Sequence, residues 1–424
     1  MKIALVLPRS LPSHGGAEVY EHRISKILEK KGNKVVVFSG TRERKDKFNG
    51  VFSDITRSSD RVSYKAISWN HTKKPRTGEK YLEFVDEMLQ QHALIEQAID
   101  WTKRNKPDIV VVGIGWSAPW WLHAREYFFF VKAMGIPIGL FHYDNDLMTE
   151  RFLIKTYLKT KDWNISAGLV NDAIVTSSKE ELAKDSFDLG LYTAISSPLV
   201  LRPDFIITCS DWVSRFIDPF QTLDKFTMHP PLKVDKPWRE EGNPAAYERT
   251  DVLMVNPQHR KNPDLMLQMI DANPHLSFRI LRGGWDKDPT RALRPKLKQM
   301  TAFKNGQVDI VKYAADMSTV YKSSRLLFFP SYTEGYGQTA VEPMLYDVPV
   351  VASNYPSILE AIGPTYPSLC PYLNSTENWS DLINDVLADE STWQQRSLER
   401  SKELKKRDAK ESVLLQQFLE NQCR

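Results

Sequence analysis

The sequence predicts an α/β protein made of two parallel-sheet domains, and three observations carry that reading. Short strands such as Lys2–Leu7 and Val35–Phe38 are apolar at nearly every position, as strands covered on both faces are. Such strands alternate with segments of helical periodicity, the grammar of a parallel sheet with helical crossovers. The alternation pauses at a polar stretch with two prolines, Asp235 to Thr250, and then restarts. At roughly 150 residues per domain, 424 residues accommodate two such arrays.

The elements follow in order. Strand Lys2–Leu7 leads through Gly15-Gly16 into a helix from Ala17 to Lys31, apolar at Val19, Ile24, Ile27 and Leu28, and then into strand Lys34–Ser39. A helix over Tyr81–Lys103 precedes strand Ile109–Val112, a further helix precedes strand Ile138–His142, and a buried strand follows at Asp204–Cys209. Residues Leu147–Pro198 are less regular and read as an excursion. After the linker come strand Val252–Val255, helix Pro263–Ala272, strands Ser277–Leu281 and Val308–Val311, helix Met317–Ser323, strand Leu326–Phe329, helix Thr339–Tyr346 and strand Pro349–Ala352. A long charged helix, Asp389–Asn421, closes the chain and is expected to pack across the domain junction. The domain reading is therefore 1–234, a linker at 235–250, 251–388, and a terminal helical segment at 389–424: two Rossmann-like domains with sheets facing across a cleft.

Composition narrows the functional classes. Hydrophobic residues make up 42%, enough to build cores. With 57 Lys plus Arg against 53 Asp plus Glu, the net charge of +4 gives no general drive toward nucleic acid. Three widely spaced cysteines, Cys209, Cys370 and Cys423, form neither a disulfide framework nor a zinc-ligand pair, which fits a reducing cytoplasm. No apolar run approaches the roughly 20 residues of a spanning helix.

The segment richest in chemistry is Pro330-Ser331-Tyr332-Thr333-Glu334-Gly335-Tyr336-Gly337-Gln338-Thr339-Ala340-Val341-Glu342-Pro343. A strand ends, glycines give the backbone a tight path, and a helix starts near Thr339 with its first N–H groups facing the loop, an arrangement that favours phosphate. Glu334 and Glu342 place two carboxylates at different depths, each able to accept hydrogen bonds from a vicinal diol. Embedded in Pro-Ser-x3-Gly-x-Gly and followed by Val348-Pro349-Val350-Val351-Ala352-Ser353, the pair resembles the E-x7-E element of retaining glycosyltransferases of the GT-B fold, the family 4 or group 1 glycosyltransferases. The resemblance implies that Glu334 contacts the donor sugar and Glu342 the nucleotide ribose, with Gly335, Tyr336, Gly337, Gln338 and Thr339 lining the donor. Glu360 also fits the pattern.

The resemblance extends along most of the chain. Gly15-Gly16-Ala17-Glu18 matches the family's N-terminal glycine loop, which approaches the diphosphate. His142, at the carboxyl end of its strand where open α/β sheets place ligands, matches a histidine beside the reacting sugar. Asp204 and Ser210 match the last strand of the first domain, and Pro230-Pro231 the approach to the second. In Val255-Asn256-Pro257-Gln258-His259-Arg260-Lys261-Asn262, Lys261 matches the family lysine for the diphosphate. The usual upstream arginine is missing, and Arg260 is the candidate substitute. Gly283, of Gly283-Gly284, matches a close backbone approach.

The implied reaction moves a hexose-type sugar from a UDP- or GDP-sugar to an acceptor hydroxyl with retention, with no cofactor and no metal. Glu334, His142 and Lys261 are the expected catalytic groups. Asp144-Asn145-Asp146 and Asp286-Lys287-Asp288 are D-x-D triplets of the kind that bind manganese in another glycosyltransferase fold, but the cationic phosphate site makes a metal unnecessary. The acceptor is open. Trp116, Trp120, Trp121 and Tyr127–Phe130 form an aromatic cluster, and Arg42, Arg44, Lys45, Lys47, Lys73, Lys74 and Arg76 form basic patches. They fit a carbohydrate or glycolipid acceptor with peripheral contact at the inner membrane face, or buried aromatics and solvated loops. A nucleic-acid acceptor has only the basic patch in its favour. A non-catalytic or epimerase protein of the same fold would be marked by a broken donor site, whereas Glu334, Lys261 and Glu342 are all in place.

Overall fold

The computed structural model describes residues 1–8, 16–41, 62–68, 80–113, 118–143, 159–161, 203–217, 223–232, 250–282, 289–291, 293–311, 317–369 and 375–424. The chain divides into two compact units. Unit 1 comprises Met1–Tyr143, Gly168–Pro231 and Ala409–Arg424; unit 2 comprises Asp144–Ala167 and Leu232–Asp408. The expected linker lies outside the described residues except for Thr250, which opens a strand, as does the 147–198 excursion apart from residues 159–161.

Unit 1 holds a seven-stranded sheet in the order β3-β2-β1-β4-β5-β6-β7, formed by β1 (Lys2–Leu7), β2 (Lys34–Thr41), β3 (Val62–Ser68), β4 (Ile109–Gly113), β5 (Ile138–His142), β6 (Phe205–Thr208) and β7 (Asp224–Thr227). Every pairing is parallel. The central strands are those that read as continuous apolar runs: Ile3–Val6 and Ile109–Val112 are fully buried. The helices Gly16–Lys30, Lys80–Asn105 and Ala118–Ala133 supply crossovers. Two strands of unit 1 have no counterpart in the sequence expectation, β3 and β7, and both are edges. Asp224-Lys225-Phe226-Thr227 is exposed or half-buried throughout, and an edge strand does not need the apolar run by which its buried neighbours are recognised.

Sheet packing places one severe demand on a glycine. Gly139 in β5 pairs with Phe205 in β6, and a Cβ at 139 would lie 2.1 Å from the Phe205 ring. The ring occupies the volume that any other side chain would need, which is the close approach a strand glycine signals.

Unit 2 holds a six-stranded parallel sheet in the order β10-β9-β8-β11-β12-β13, formed by β8 (Thr250–Val255), β9 (Phe278–Leu281), β10 (Val308–Val311), β11 (Ser324–Phe329), β12 (Val350–Ser353) and β13 (Ser368–Leu369). Its core runs from Val252, Met254, Phe278, Ile280 and Phe328 to Met266 and Ile270 of the helix Pro263–Ala272 and to Trp379 and Ile383 of the helix Thr376–Ala388. A half-buried ion network holds the strand starts of this sheet: Arg325 bonds Asp251 at 2.8 Å and Glu390 at 2.7 Å.

The terminal helix, Glu390–Gln422, serves both units: its residues through Asp408 group with unit 2 and those from Ala409 with unit 1. Its buried positions Ser397, Ser401, Leu404, Glu411, Leu415 and Leu419 recur at helical spacing, so a charged helix presents one continuous inner stripe. In unit 1, Glu411 accepts hydrogen bonds from the backbone N–H of His229 at 2.9 Å and pairs with its Nδ1 at 2.6 Å. No described helix is long and apolar enough to cross a membrane.

The Gly139–Phe205 contact predicts that Gly139→Ala destabilises the protein by about 1–3 kcal/mol or more through overpacking. Adding Phe205→Leu should recover part of the loss. Urea unfolding followed by tryptophan fluorescence checks both.

Candidate functional site

Strand order selects the site. In unit 2, β8 and β11 are neighbours at the centre of the sheet, and the sequence runs outward from them in opposite directions. The loops leaving their carboxyl ends therefore diverge and leave a crevice, the place where open α/β sheets bind ligands. Lys261 follows β8, and Glu334 follows β11.

Local chemistry shapes the first loop. Asn256, with φ 57°, turns the chain out of β8, and Gln258 N–H bonds the Asn256 carbonyl at 2.7 Å. A single 3₁₀ turn, His259–Lys261, follows. Asn262, with φ 54°, caps the next helix, its side-chain oxygen accepting from Leu265 N–H at 3.4 Å, with Pro263 at the first helical position. Asparagine tolerates this left-handed backbone better than most residues. The second loop is stitched to the first by Tyr332, whose N–H donates to the Arg260 carbonyl at 2.8 Å and whose hydroxyl donates to Asn262 Oδ1 at 2.7 Å.

Between these stitches the Lys261 ammonium donates to Glu334 Oε1. Lys261 is 6% exposed and Glu334 7%. The ammonium also lies 4.6 Å from the centre of the Phe329 ring. Burial alone would raise the Glu334 pKa, but the positive charges of Lys261 and Arg260, with the hydrogen bond from Lys261, outweigh it and hold the carboxyl below its ordinary value. The backbone is fixed as well: Ser357 Oγ donates to the Glu334 carbonyl at 2.6 Å. A buried carboxylate and a buried ammonium thus neutralise each other where a ligand carrying both phosphate and hydroxyls could address them separately.

Glu342 is half-buried and holds two partners, Tyr321 through its hydroxyl at 3.1 Å and Gln338 through Nε2 at 2.9 Å. The helix expected over Thr339–Tyr346 is corrected. It forms as a four-residue turn, Gln338–Val341, followed by a 3₁₀ turn, Pro343–Tyr346. Pro343 has no N–H to continue the ladder, so the field of a long helix is absent and only the first N–H groups, at Gln338 and Thr339, remain to act locally. Gly337 precedes them with φ 89°, a conformation that favours glycine. Gly335 and Tyr336 are buried beside it.

In unit 1, His142 is the last residue of β5, half-buried, its carbonyl accepting from Cys209 N–H at 3.1 Å. Next to it the Tyr143 hydroxyl donates to the buried carboxylate of Glu21, and a Cβ at Gly113 would come within 2.8 Å of both groups. Gly16 opens the helix Gly16–Lys30, while Gly15 and Gly283 lie outside the described residues. Asp204 and Ser210 have structural roles: Asp204 Oδ2 accepts from Ile138 N–H at 2.9 Å, and Ser210 Oγ accepts from Val213 N–H at 3.1 Å. Trp120, Tyr127 and Phe128 are core residues, whereas Phe129 is 57% exposed. The basic patches and both D-x-D triplets lie outside the described residues. Elsewhere in unit 1, His92, His123 and Glu126 have potential metal-ligand atoms within 4.8 Å of one another, on two helices.

Sequence reasoning missed Tyr332, Tyr321 and Ser357. Asn262 carried a readable signal, an Asn directly before a Pro that opens a helix. The others act through contacts that no local pattern encodes.

Comparison with known proteins fits this geometry. Residues 242–410, which include the β8 loop, the β11 loop and Glu342, match the family described as glycosyl transferases group 1. That stretch of the chain is similar to a glycosyl transferases group 1 domain. Two curated relatives match over shorter stretches, both D-inositol 3-phosphate glycosyltransferases. The protein of Mycobacteroides abscessus is 27% identical over 156 residues, 35% of this chain and 34% of that one. The protein of Corynebacterium aurimucosum is 20% identical over 183 residues, 41% of this chain and 43% of that one. This chain thus spans less than half the length of either relative. Solved structures match the fold over nearly the whole chain. Sucrose-phosphate synthase from Thermosynechococcus elongatus gives a TM-score of 0.66 at 13% identity, covering 99% of this chain and 98% of that one. HepE of Anabaena, in complex with UDP and glucose, gives 0.62 at 13% identity, covering 99% and 100%. The architecture of the chain is therefore the GT-B fold that these structures share.

The buried pair predicts an asymmetry. Lys261→Met, which strands a buried carboxylate, should cost about 3–5 kcal/mol, and the double variant Lys261→Met/Glu334→Gln much less, as measured by urea unfolding. Because the folded Glu334 pKa is depressed, its stabilising contribution is complete above the ordinary carboxylate value and is lost as pH falls through the depressed one. An acid stability series should therefore flatten in Glu334→Gln relative to wild type in the window below that ordinary value.

Proposed function

We propose that this protein is a retaining glycosyltransferase that moves a hexose-type sugar from a UDP- or GDP-sugar to an acceptor hydroxyl. The buried Lys261–Glu334 pair at the crevice of a group 1 domain carries the reading. Without donor the two charges satisfy each other. A bound diphosphate would compete for Lys261 with its own oxygens, joined by Arg260, and so release the Glu334 carboxylate to accept from sugar hydroxyls. Glu342, already oriented by Tyr321 and Gln338, would take the ribose diol.

The chemistry follows from that placement. The bond between the anomeric carbon and the diphosphate oxygen breaks, a bond to the acceptor oxygen forms on the same face, and the acceptor proton passes to the departing phosphate. Negative charge growing on the diphosphate is what Lys261, Arg260 and the N–H groups of Gln338 and Thr339 would stabilise. They supply the positive charge for which other transferases use a metal. The family resemblance assigns His142 a role beside the reacting sugar. Complexes of structural neighbours with UDP and glucose, or with UDP-2-fluoro glucose, support a nucleotide-sugar donor and favour uridine. A carbohydrate or glycolipid acceptor, in glycan, lipopolysaccharide or glycolipid synthesis, suits this donor chemistry. Trp120, Tyr127 and Phe128 of the helix Ala118–Ala133 are buried and so are not available to stack on a ligand. The expected location is cytoplasmic.

Donor hydrolysis and binding measured across UDP-, GDP- and ADP-sugars test the proposal. One donor should be preferred. Glu342→Ala should weaken its binding about tenfold or more, the worth of a charge-assisted hydrogen bond, and Lys261→Ala should lower turnover by about 10²–10³. No binding to any nucleotide sugar, or full turnover by both variants, would refute it.

A further inference from the structure

The donor loop is a poor candidate for rigidity on its own. Gly335 and Gly337 flank Tyr336, and Gly337 sits at φ 89°, so the backbone between Glu334 and Gln338 has little intrinsic stiffness. A binding loop of this kind must be held by packing and hydrogen bonds from outside it. The terminal helix supplies both, within unit 2. Arg407 Nη2 donates to the Tyr336 hydroxyl, and its guanidinium carbon lies 5.3 Å from the centre of the Tyr336 ring. Tyr336 is 3% exposed. Burial pushes its pKa up to about 12, against the opposing charge of Arg407, so it stays a neutral phenol and the arginine is its donor.

A second arginine braces the loop from behind. Arg400, seven residues earlier and so on the same helical face, donates to the carbonyls of Glu360 at 2.9 Å and Ala361 at 3.0 Å, at the carboxyl end of the helix Pro356–Ile362. The other end of that short helix touches the loop: Ser357 Oγ bonds the Glu334 carbonyl, and Ile358 lies 3.4 Å from where a Cβ of Gly337 would be. One helical face thus holds the loop directly at Tyr336 and indirectly at Glu334 and Gly337. At the next residue Asp408 accepts from Leu232 N–H at 2.6 Å, fixing the same turn of helix to the first residue of unit 2 after unit 1.

We infer that Arg407 is a positioning residue for the donor site: through Tyr336 it locks the Glu334–Gln338 loop in the shape that receives the nucleotide sugar. The inference rests on the glycosyltransferase reading for its kinetic consequence but not for its structural one. A loosened loop must be ordered by the ligand at a cost in affinity, so the effect falls on donor binding rather than on the chemical step.

The test uses the full chain in four variants: Arg407→Met, Arg407→Lys, Tyr336→Phe and the double Arg407→Met/Tyr336→Phe. With the sugar nucleotide that wild type turns over, Arg407→Met should raise the donor KM about tenfold and leave kcat within about threefold. Arg407→Lys should fall between it and wild type, and the double variant should be no worse than Arg407→Met alone, because both substitutions break the same contact. Hydrogen exchange of the peptide covering residues 334–342 should accelerate in Arg407→Met, while peptides of β8 and β11 keep their protection. An unchanged KM with unchanged exchange, or fully additive effects, would overturn the inference. If wild type binds no UDP, GDP or sugar nucleotide, the glycosyltransferase reading fails, and the exchange experiment still decides the brace: faster exchange supports it and unchanged exchange sinks it. Should Arg407→Met fail to fold, Tyr336→Phe, which deletes one hydroxyl, carries both measurements.

Discussion

Two opposite charges held out of water in the crevice of unit 2 set the terms for everything around them. A buried ion pair contributes little net stability, because desolvation consumes much of its attraction, yet breaking it is costly. Lys261 and Glu334 must therefore be delivered to each other accurately by two separate loops. The left-handed asparagines at 256 and 262, the Tyr332 stitches and the Ser357 bond to the Glu334 carbonyl all serve that delivery. Such an arrangement is hard to justify as a device for stability alone. It fits the proposed role, a pair of charges held for a ligand that can use both.

The same constraint explains the extent of support behind the loop. Glycines at 335 and 337 let the backbone pass closely, but they leave the loop without stiffness of its own. Rigidity has to be imported, and the terminal helix provides it through Arg400 and Arg407. That helix is charged over most of its surface and buries a stripe of small, apolar and acidic residues, so its ordering comes from tertiary contacts more than from its own composition. Within unit 1 its final turns are anchored by Glu411 on His229, and within unit 2 Asp408 anchors it on Leu232. Within unit 2 the helix thus joins the framework to the shape of the site.

The candidate site was partly legible because part of it is local. Glu334, Glu342 and the intervening glycines sit in one segment whose strand, loop and helix start can be read in order, and Lys261 follows a recognisable strand. Their mutual arrangement was not legible. Nothing in the spacing says that Lys261 touches Glu334, that Tyr332 ties the two loops, or that Pro343 shortens the expected helix to one turn. Pro343 is visible in the sequence, but the point at which its missing N–H ends the first turn is set by the loop that precedes it. The aromatic run at Tyr127–Phe130 left burial and display equally open, and packing chose burial for all but Phe129 and the half-buried Phe130.

By itself, the sequence determined the parallel α/β architecture, the identity of the buried strands and the placement of the charged motif at strand ends, since each follows from periodicity or from residues close together in the chain. The edge strands β3, β7 and β13 escaped it, because an edge is covered on fewer sides and needs no apolar run. Only the tertiary structure decided that Gly139 yields its space to Phe205, that Asp204 and Ser210 serve as structural acceptors, and that Arg407 reaches a loop 71 residues away. Each of these is a contact between segments distant in sequence, where the energy depends on shape and distance, and a linear pattern holds neither.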